Sequence, residues 1–176
     1  MPDQGKLAAY ADLVRFWAPR LDLISPGDLD GFEERHVADS LRLLPLIAEL
    51  PPGPCVDVGS GAGLPGIPLA IASSRHWRLL EPRHKRAGFL EEVVRELGLD
   101  CEVLAITAEE AAQRTDLRGA HALATARAVA SPGAALDLLL PLVAPGGKAV
   151  VFVGKGAEIP VNAEEWAPGI ATMPVS

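Results

Sequence analysis

The chain has little that would serve a metal, a membrane or a disulfide. Its two cysteines, Cys55 and Cys101, stand apart, with no C-x-x-C pair and no cluster of His and Cys. No metal site is expected, and the thiols read as buried and free. No run approaches the ~20 apolar residues of a membrane span. The N-terminus "MPDQGKLAAYADLVRFW" mixes charged and apolar residues without a signal-peptide core, which points to a cytoplasmic protein. Aromatics are scarce at 5%, and 16 Lys and Arg against 23 Asp and Glu give a net charge of -7. That balance argues against a surface that binds nucleic acid all over, but leaves room for a local basic patch.

What is present suits one globular domain: 176 residues, 49% of them hydrophobic and 22% charged. Residues 5 to 18 set Leu7, Tyr10, Ala11, Val14 and Trp17 at helical spacing. A second helical pattern runs from about Gly31 to Leu50, with Phe32, Val37, Leu41, Leu44 and Ile47 as its apolar face, and "PPGP" ends it. Residues 1–50 thus read as an N-terminal helical cap.

From residue 54 the periods alternate. "CVDVG", "WRLLEP", "CEVLAI", "HALATARAV" and "KAVVFVGK" read as strands, each followed by a helical stretch up to the fifth. Such alternation predicts an α/β domain, a doubly wound, mostly parallel sheet over residues 54–176. Only "GIATMPVS" near the end reads as a further strand, so the sheet is expected to lack its last strand.

In open α/β sheets ligands bind beyond the carboxyl ends of the strands. The loop after the first strand is "VDVGSGAGLPGIPLAI", a literal G-x-G-x-x-G at Gly61, Gly63 and Gly66. A dinucleotide would want free amides there for its pyrophosphate. Pro65 and Pro68 have no N–H, and Asp57 would repel a phosphate. S-adenosylmethionine has no phosphate and carries an ammonium and a sulfonium, so a carboxylate near the loop suits it. Gly59, Gly61 and Gly63 let the backbone approach a ligand closely. Glu81, ending the second strand, is placed to accept both ribose hydroxyls, its plain alternative being a solvated charge. Asp57 has an alternative too, orienting the loop by accepting its amides.

These residues resemble the glycine loop of the RsmG (GidB) family, bacterial methyltransferases acting on guanine N7 of 16S ribosomal RNA. "RHVADSLRLLP", "LLEPRHKRAGFLEEVVRELGL", "ATARAVAS" and "VVFVGKG" are similar to further segments of that family, so the likeness spans roughly residues 10 to 175. The family's N-L-T-S segment stands here as "DLIS", Asp22 to Ser25. The resemblance implies a Rossmann-like methyltransferase fold, S-adenosylmethionine as cofactor, and 16S rRNA in the 30S subunit as partner, with no oligomer required. By position it implies cofactor contacts from Gly59 and Leu64, with Ala108 and Glu109 flanking the adenine. Arg127 falls near the methionine end, with a structural salt bridge as its alternative. His36 and Asp39 share a helical face and read as structural.

Guanine N7 carries a lone pair and no proton, so its methylation calls for in-line positioning and no general base. No catalytic residue is therefore assigned. RNA contact falls to Arg83, His84, Lys85 and Arg86, with Arg127, Lys148 and Lys155 at the cofactor mouth. The 83–86 run has the plainer reading of a solvated helix start. Rival readings are a small-molecule S-adenosylmethionine-dependent methyltransferase, a dinucleotide oxidoreductase and a non-enzymatic cofactor sensor.

Overall fold

The structure is a computed structural model and describes residues 1–176. Helix α1 (Gln4–Leu21) starts where the Asp3 side chain accepts from the Lys6 amide at 3.0 Å, and ends at Asp22 in the left-handed region. It buries Leu7, Tyr10, Ala11 and Val14 as its spacing predicts, but the expected Trp17 is only half-buried and Ala18 is buried in the last turn. The Tyr10 hydroxyl donates to the Ala62 carbonyl at 2.8 Å, tying the cap to the glycine loop.

The expected single helix over 31–50 is broken instead. α2 (Pro26–Leu29) precedes a π-helical turn (Glu33–Val37), then α3 (Ala38–Leu41) and α4 (Leu44–Glu49). Pro45 in the first turn of α4 has no amide to continue the ladder from α3. The break turns Leu43 and Leu46 fully inward and leaves the expected Leu41 and Leu44 only half-buried. Arg75 then caps α4 and the following turn, donating to the carbonyls of Ile47, Leu50, Pro51 and Gly53 at 2.6–3.1 Å.

Strand β1 (Cys55–Val58) is buried at every residue because it is central and covered on both faces. α5 (Gly66–Ala72) leads to β2 (Trp77–Leu80), α6 (His84–Leu97) to β3 (Cys101–Leu104), and α7 (Ala108–Gln113) to β4 (His121–Arg127). α8 (Pro132–Leu139) leads to β5 (Val143–Phe152), which is followed by β6 (Glu164–Ala167) and β7 (Ile170–Pro174). The order is β3-β2-β1-β4-β5-β7-β6, parallel from β3 to β5 and antiparallel at β7 and β6. The chain steps outward from β1 to β3 and then returns to β4 on the other side of β1. That reversal opens a crevice above the ends of β1 and β4.

The expectation of a missing last strand is therefore corrected, because β6 supplies the partner of β7. Glu164 and Glu165 are exposed on this four-residue edge strand. A short, acidic edge carries no apolar alternation to reveal it, and its charge blunts pairing with other chains. The thiol reading is corrected in part: Cys55 is buried, but Cys101 is only half-buried. The two flank Trp77 on either side in register, two strand spacings or ~9.6 Å apart, too far for a disulfide.

Candidate active site

Asp57 ends up beneath the glycine loop rather than at its surface. Its side chain is fully buried, with Oδ2 accepting from the Ser60 hydroxyl at 2.8 Å and the Gly66 amide at 3.2 Å. Oδ1 accepts from the Thr125 hydroxyl of β4 at 2.8 Å. One carboxylate thus laces β1, β4, the loop and the first turn of α5. Burial pushes its pKa up to about 6, against the pull of those hydrogen bonds. Asp57 thus takes its alternative role, orienting the loop by accepting from it, and its full burial sets it beneath the cleft rather than at the cofactor.

The same bonds account for the prolines. At the start of α5 the Gly66 amide goes to Asp57, Ile67 N–H to the Gly63 carbonyl at 2.7 Å, and Leu69 N–H to the Pro65 carbonyl at 3.2 Å. Pro65 and Pro68 have no amide to give. A helix start whose donors are used or missing is a poor pyrophosphate cradle.

The glycines divide by role. A Cβ on Gly63, at φ +100°, would lie 2.5 Å from Ile67 Cγ1, so this glycine serves packing. A Cβ on Gly61 would meet nothing nearer than 3.9 Å, and Gly61 lines a cleft of about 310 Å³. Gly59, Leu64, His36, Arg86 and Arg127 share that lining. Of the residues expected at the cofactor, Gly59, Gly61, Leu64 and Arg127 are brought together here. Asp57, Gly63, Glu81, Ala108 and Glu109 lie outside the lining. Ala108 is buried in the capped first turn of α7, and Glu109 beside it is exposed.

Glu81, 3% exposed, directly follows β2, behind Arg86. The Arg86 guanidinium stands 3.8 Å from the Glu81 carboxylate and donates to the Asp22 carbonyl at 2.6 Å. Burial raises the Glu81 pKa, while Arg86 and Arg83 lower it. No hydrogen bond joins Glu81 to Arg86 at that separation, so the carboxylate keeps acceptor capacity that a ribose diol would use. The site fits S-adenosylmethionine on that ground and on the open face of Gly61. Arg86 itself is turned inward, which splits the expected cationic run: Arg83, His84 and Lys85 are exposed, and Arg86 belongs to the cleft.

At the end of β4, Arg127 joins cap to sheet. Its guanidinium is 3.1 Å from His36 Nδ1 and 3.2 Å from Asp39 Oδ2, and 5.2 Å from the centre of the Phe152 ring. Because Arg127 can only donate, His36 Nδ1 accepts, and the proton of the neutral ring sits on Nε2, facing Asp28 Oδ1 at 3.2 Å. Asp39 Oδ1 accepts from Arg42 at 2.7 Å, and Arg42 also donates to the Pro168 carbonyl at 2.7 Å. The pairing of His36 and Asp39 with one face follows the expectation, and their partner is the residue expected at the methionine end.

A second, wider cleft of about 630 Å³ adjoins the first, and Arg127 and Ala128 line both. Asp39, Arg42, Phe152, Gly154 and Pro168 form its walls. Sequence reasoning missed Arg42 and Phe152. Phe152 had one signal, as the last aromatic before the Gly154-Lys155-Gly156 turn; Arg42 had one in its i, i+3 spacing from Asp39. Lys155 is exposed in that turn, beside the cleft. Lys148 is a correction: it pairs with Leu123 and Pro174, four residues before Phe152 on β5. That places it ~13 Å down the strand from the mouth.

The family profile described as GidB, rRNA small subunit methyltransferase G, matches residues 3–172. The chain belongs to the GidB family. It is 38% identical to the ribosomal RNA small subunit methyltransferase G of Granulibacter bethesdensis over 171 residues, 96% of this chain and 78% of that one. It is 42% identical to the protein of the same name from Sorangium cellulosum over 169 residues, 94% of this chain and 70% of that one. A putative S-adenosylmethionine-dependent methyltransferase of Methanococcus maripaludis shares the fold, with TM-score 0.56, 18% identity, and coverage of 74% of this chain and 63% of that one. The Rossmann-like methyltransferase fold and S-adenosylmethionine as cofactor follow for this GidB chain. No helix is long and apolar enough to cross a membrane.

Proposed function

We propose that this chain transfers the methyl group of S-adenosylmethionine to N7 of a guanine in small-subunit ribosomal RNA. Methylation of that RNA is what its GidB membership makes it do; the base, the atom and the route are the proposal. The observation that carries it is the junction of the two clefts at Arg127 and Ala128. The narrower cleft, at the glycine loop, takes the cofactor. The wider one opens beside it toward solvent and admits a base from a large substrate.

In the reaction the N7 lone pair attacks the sulfonium methyl carbon in line. The N–C bond forms as the C–S bond breaks, and the sulfur keeps the bonding pair, leaving S-adenosylhomocysteine and a cationic guanosine. No proton leaves the nucleophile. The junction suits such an acceptor, because both His36 ring nitrogens and the Arg127 guanidinium are engaged with one another, Asp28 and Asp39. These groups hold geometry, and positioning supplies several kcal/mol of barrier reduction.

The substrate form is the 30S subunit in the cytoplasm, met by one copy of the chain. With net charge -7, attraction to naked RNA rests on local cations such as Arg83, Lys85 and Lys155 and is weak overall. Tritiated S-adenosylmethionine with 30S subunits lacking the modification tests the reading. Label in guanine of the 16S strand supports it, and label confined to protein or to pyrimidines overturns it.

A further inference from the structure

The wider cleft holds a carboxylate whose surroundings match one nucleobase. Asp39 comes from α3 in the cap, 27% exposed, and lines the cleft beside Phe152 and Arg42. Its two oxygens offer about four acceptor positions. Arg42 takes one on Oδ1, and Arg127 stands 3.2 Å from Oδ2. Arg127 Nη1 is buried and makes no hydrogen bond, so its contact with Asp39 is an ion pair only. The carboxylate is therefore held from two sides and still has acceptor capacity on both oxygens.

We propose that Asp39 is the residue that selects guanine, accepting from N1–H and the N2 amino group along the Watson–Crick edge. This rests on the reading of the site as a guanine-N7 methyltransferase and names how the base is chosen. Guanine alone among the four bases shows two adjacent donors on that edge. Adenine and cytosine pair a donor with an acceptor, and uracil sets one N–H between two carbonyls. Enzymes that act on an extruded base read it by hydrogen bonds along this edge and by stacking. The geometry of the ring matters as much. N1 and N2 lie across the base from N7, so a base held by Asp39 presents N7 away from the carboxylate. Arg127, which lines both clefts, marks where the base meets the cofactor. The Phe152 ring in the same wall gives the base an aromatic surface.

The arrangement also assigns work to the two arginines. Arg42 is anchored by Asp39 and by the Pro168 carbonyl of the β6–β7 turn, and Arg127 by His36 and the Phe152 ring. Both fix the direction of the Asp39 carboxylate, and an oriented carboxylate is the stronger acceptor.

Inosine tests this without changing the protein. It lacks the N2 amino group and keeps N7, so small subunits are reconstituted with inosine at the position the wild-type chain methylates. Losing one charge-assisted hydrogen bond should lower kcat/KM ~10- to 100-fold. Asp39→Asn, which puts a donor where an acceptor stood, should lower kcat/KM on guanosine subunits by a similar factor and erase the preference over inosine. A purely structural Asp39 would slow both substrates together and leave their ratio intact. Equal rates on guanosine and inosine with the wild-type chain, or an Asp39→Asn variant that keeps the wild-type ratio, would overturn the proposal. Failure of the wild-type chain to label guanosine subunits at all would instead remove the functional reading on which it stands.

Discussion

Asp57→Asn offers a test of the buried carboxylate that laces the glycine loop. The Asp57 pKa rises from the ordinary 3.8 to about 6 on folding, chiefly through burial. A raised pKa adds stability that is full below pH 3.8 and lost as pH climbs through about 6, a change of ~3 kcal/mol. His121 acts in the opposite sense. It is buried at the start of β4, with Nδ1 2.8 Å from the Leu142 carbonyl and Nε2 3.1 Å from Arg78, and burial lowers its pKa from 6.5 to about 4. Its contribution is present above pH 6.5 and is lost as pH falls through about 4, also by ~3 kcal/mol.

In the wild-type chain these two slopes nearly cancel between pH 4 and 6.5. The asparagine side chain of the Asp57→Asn variant keeps a carbonyl for Ser60 and the Gly66 amide, and its amino group faces the Thr125 hydroxyl, which is able to accept. The variant should therefore fold, with only the His121 slope left. Urea denaturation at half-unit steps from pH 4 to 7.5 should show its stability gaining ~3 kcal/mol on the wild type as pH rises. A difference between the two proteins that is flat across that window would refute the assignment of a raised pKa to Asp57.

The glycine division predicts opposite phenotypes for neighbours. Gly63→Ala collides with Ile67 and should lose more than ~2 kcal/mol of stability by thermal or urea unfolding. Gly61→Ala has room but keeps φ +54°, so it should cost ~1 kcal/mol, while S-adenosylhomocysteine binding by calorimetry weakens ~10-fold. On the proposal that Glu81 accepts from the ribose hydroxyls, Glu81→Gln should weaken the same binding ~10-fold, with no fall in Tm because a buried charge is removed. Arg83→Ala and Lys85→Ala should each lower the slope of log affinity against log salt for 30S subunits by about 1.

Much of the fold was legible because crossover helices and buried parallel strands differ in period. "CVDV" and "LLE" stand as apolar runs between helical patterns, and five strands were found in this way. β6 was not legible, since Glu164 and Glu165 at an edge need bury nothing. Nor was the break before α4, where one proline outweighs a continuous apolar pattern. At the site, the glycine spacing pointed to Gly61 and the family resemblance to Gly59, Leu64 and Arg127, and all four share one cleft. Neither could tell that Asp57 points down into the sheet, because strand residues alternate faces and a central strand is buried on both. The cationic run at 83–86 looked uniform, but a helix turn sends Arg86 inward and its neighbours out. The link from His36 and Asp39 to Arg127 spans some 90 residues of chain, so only the folded molecule reveals it.

The identity of the methylated atom bears most directly on the proposed reaction. Methylation at N7 leaves the imidazole ring of guanosine open to borohydride reduction and subsequent aniline scission. Small-subunit RNA treated with the wild-type chain and S-adenosylmethionine should break at one guanosine, with the break absent when the cofactor is withheld. Intact RNA carrying a full equivalent of transferred methyl would place the group on another atom and contradict it.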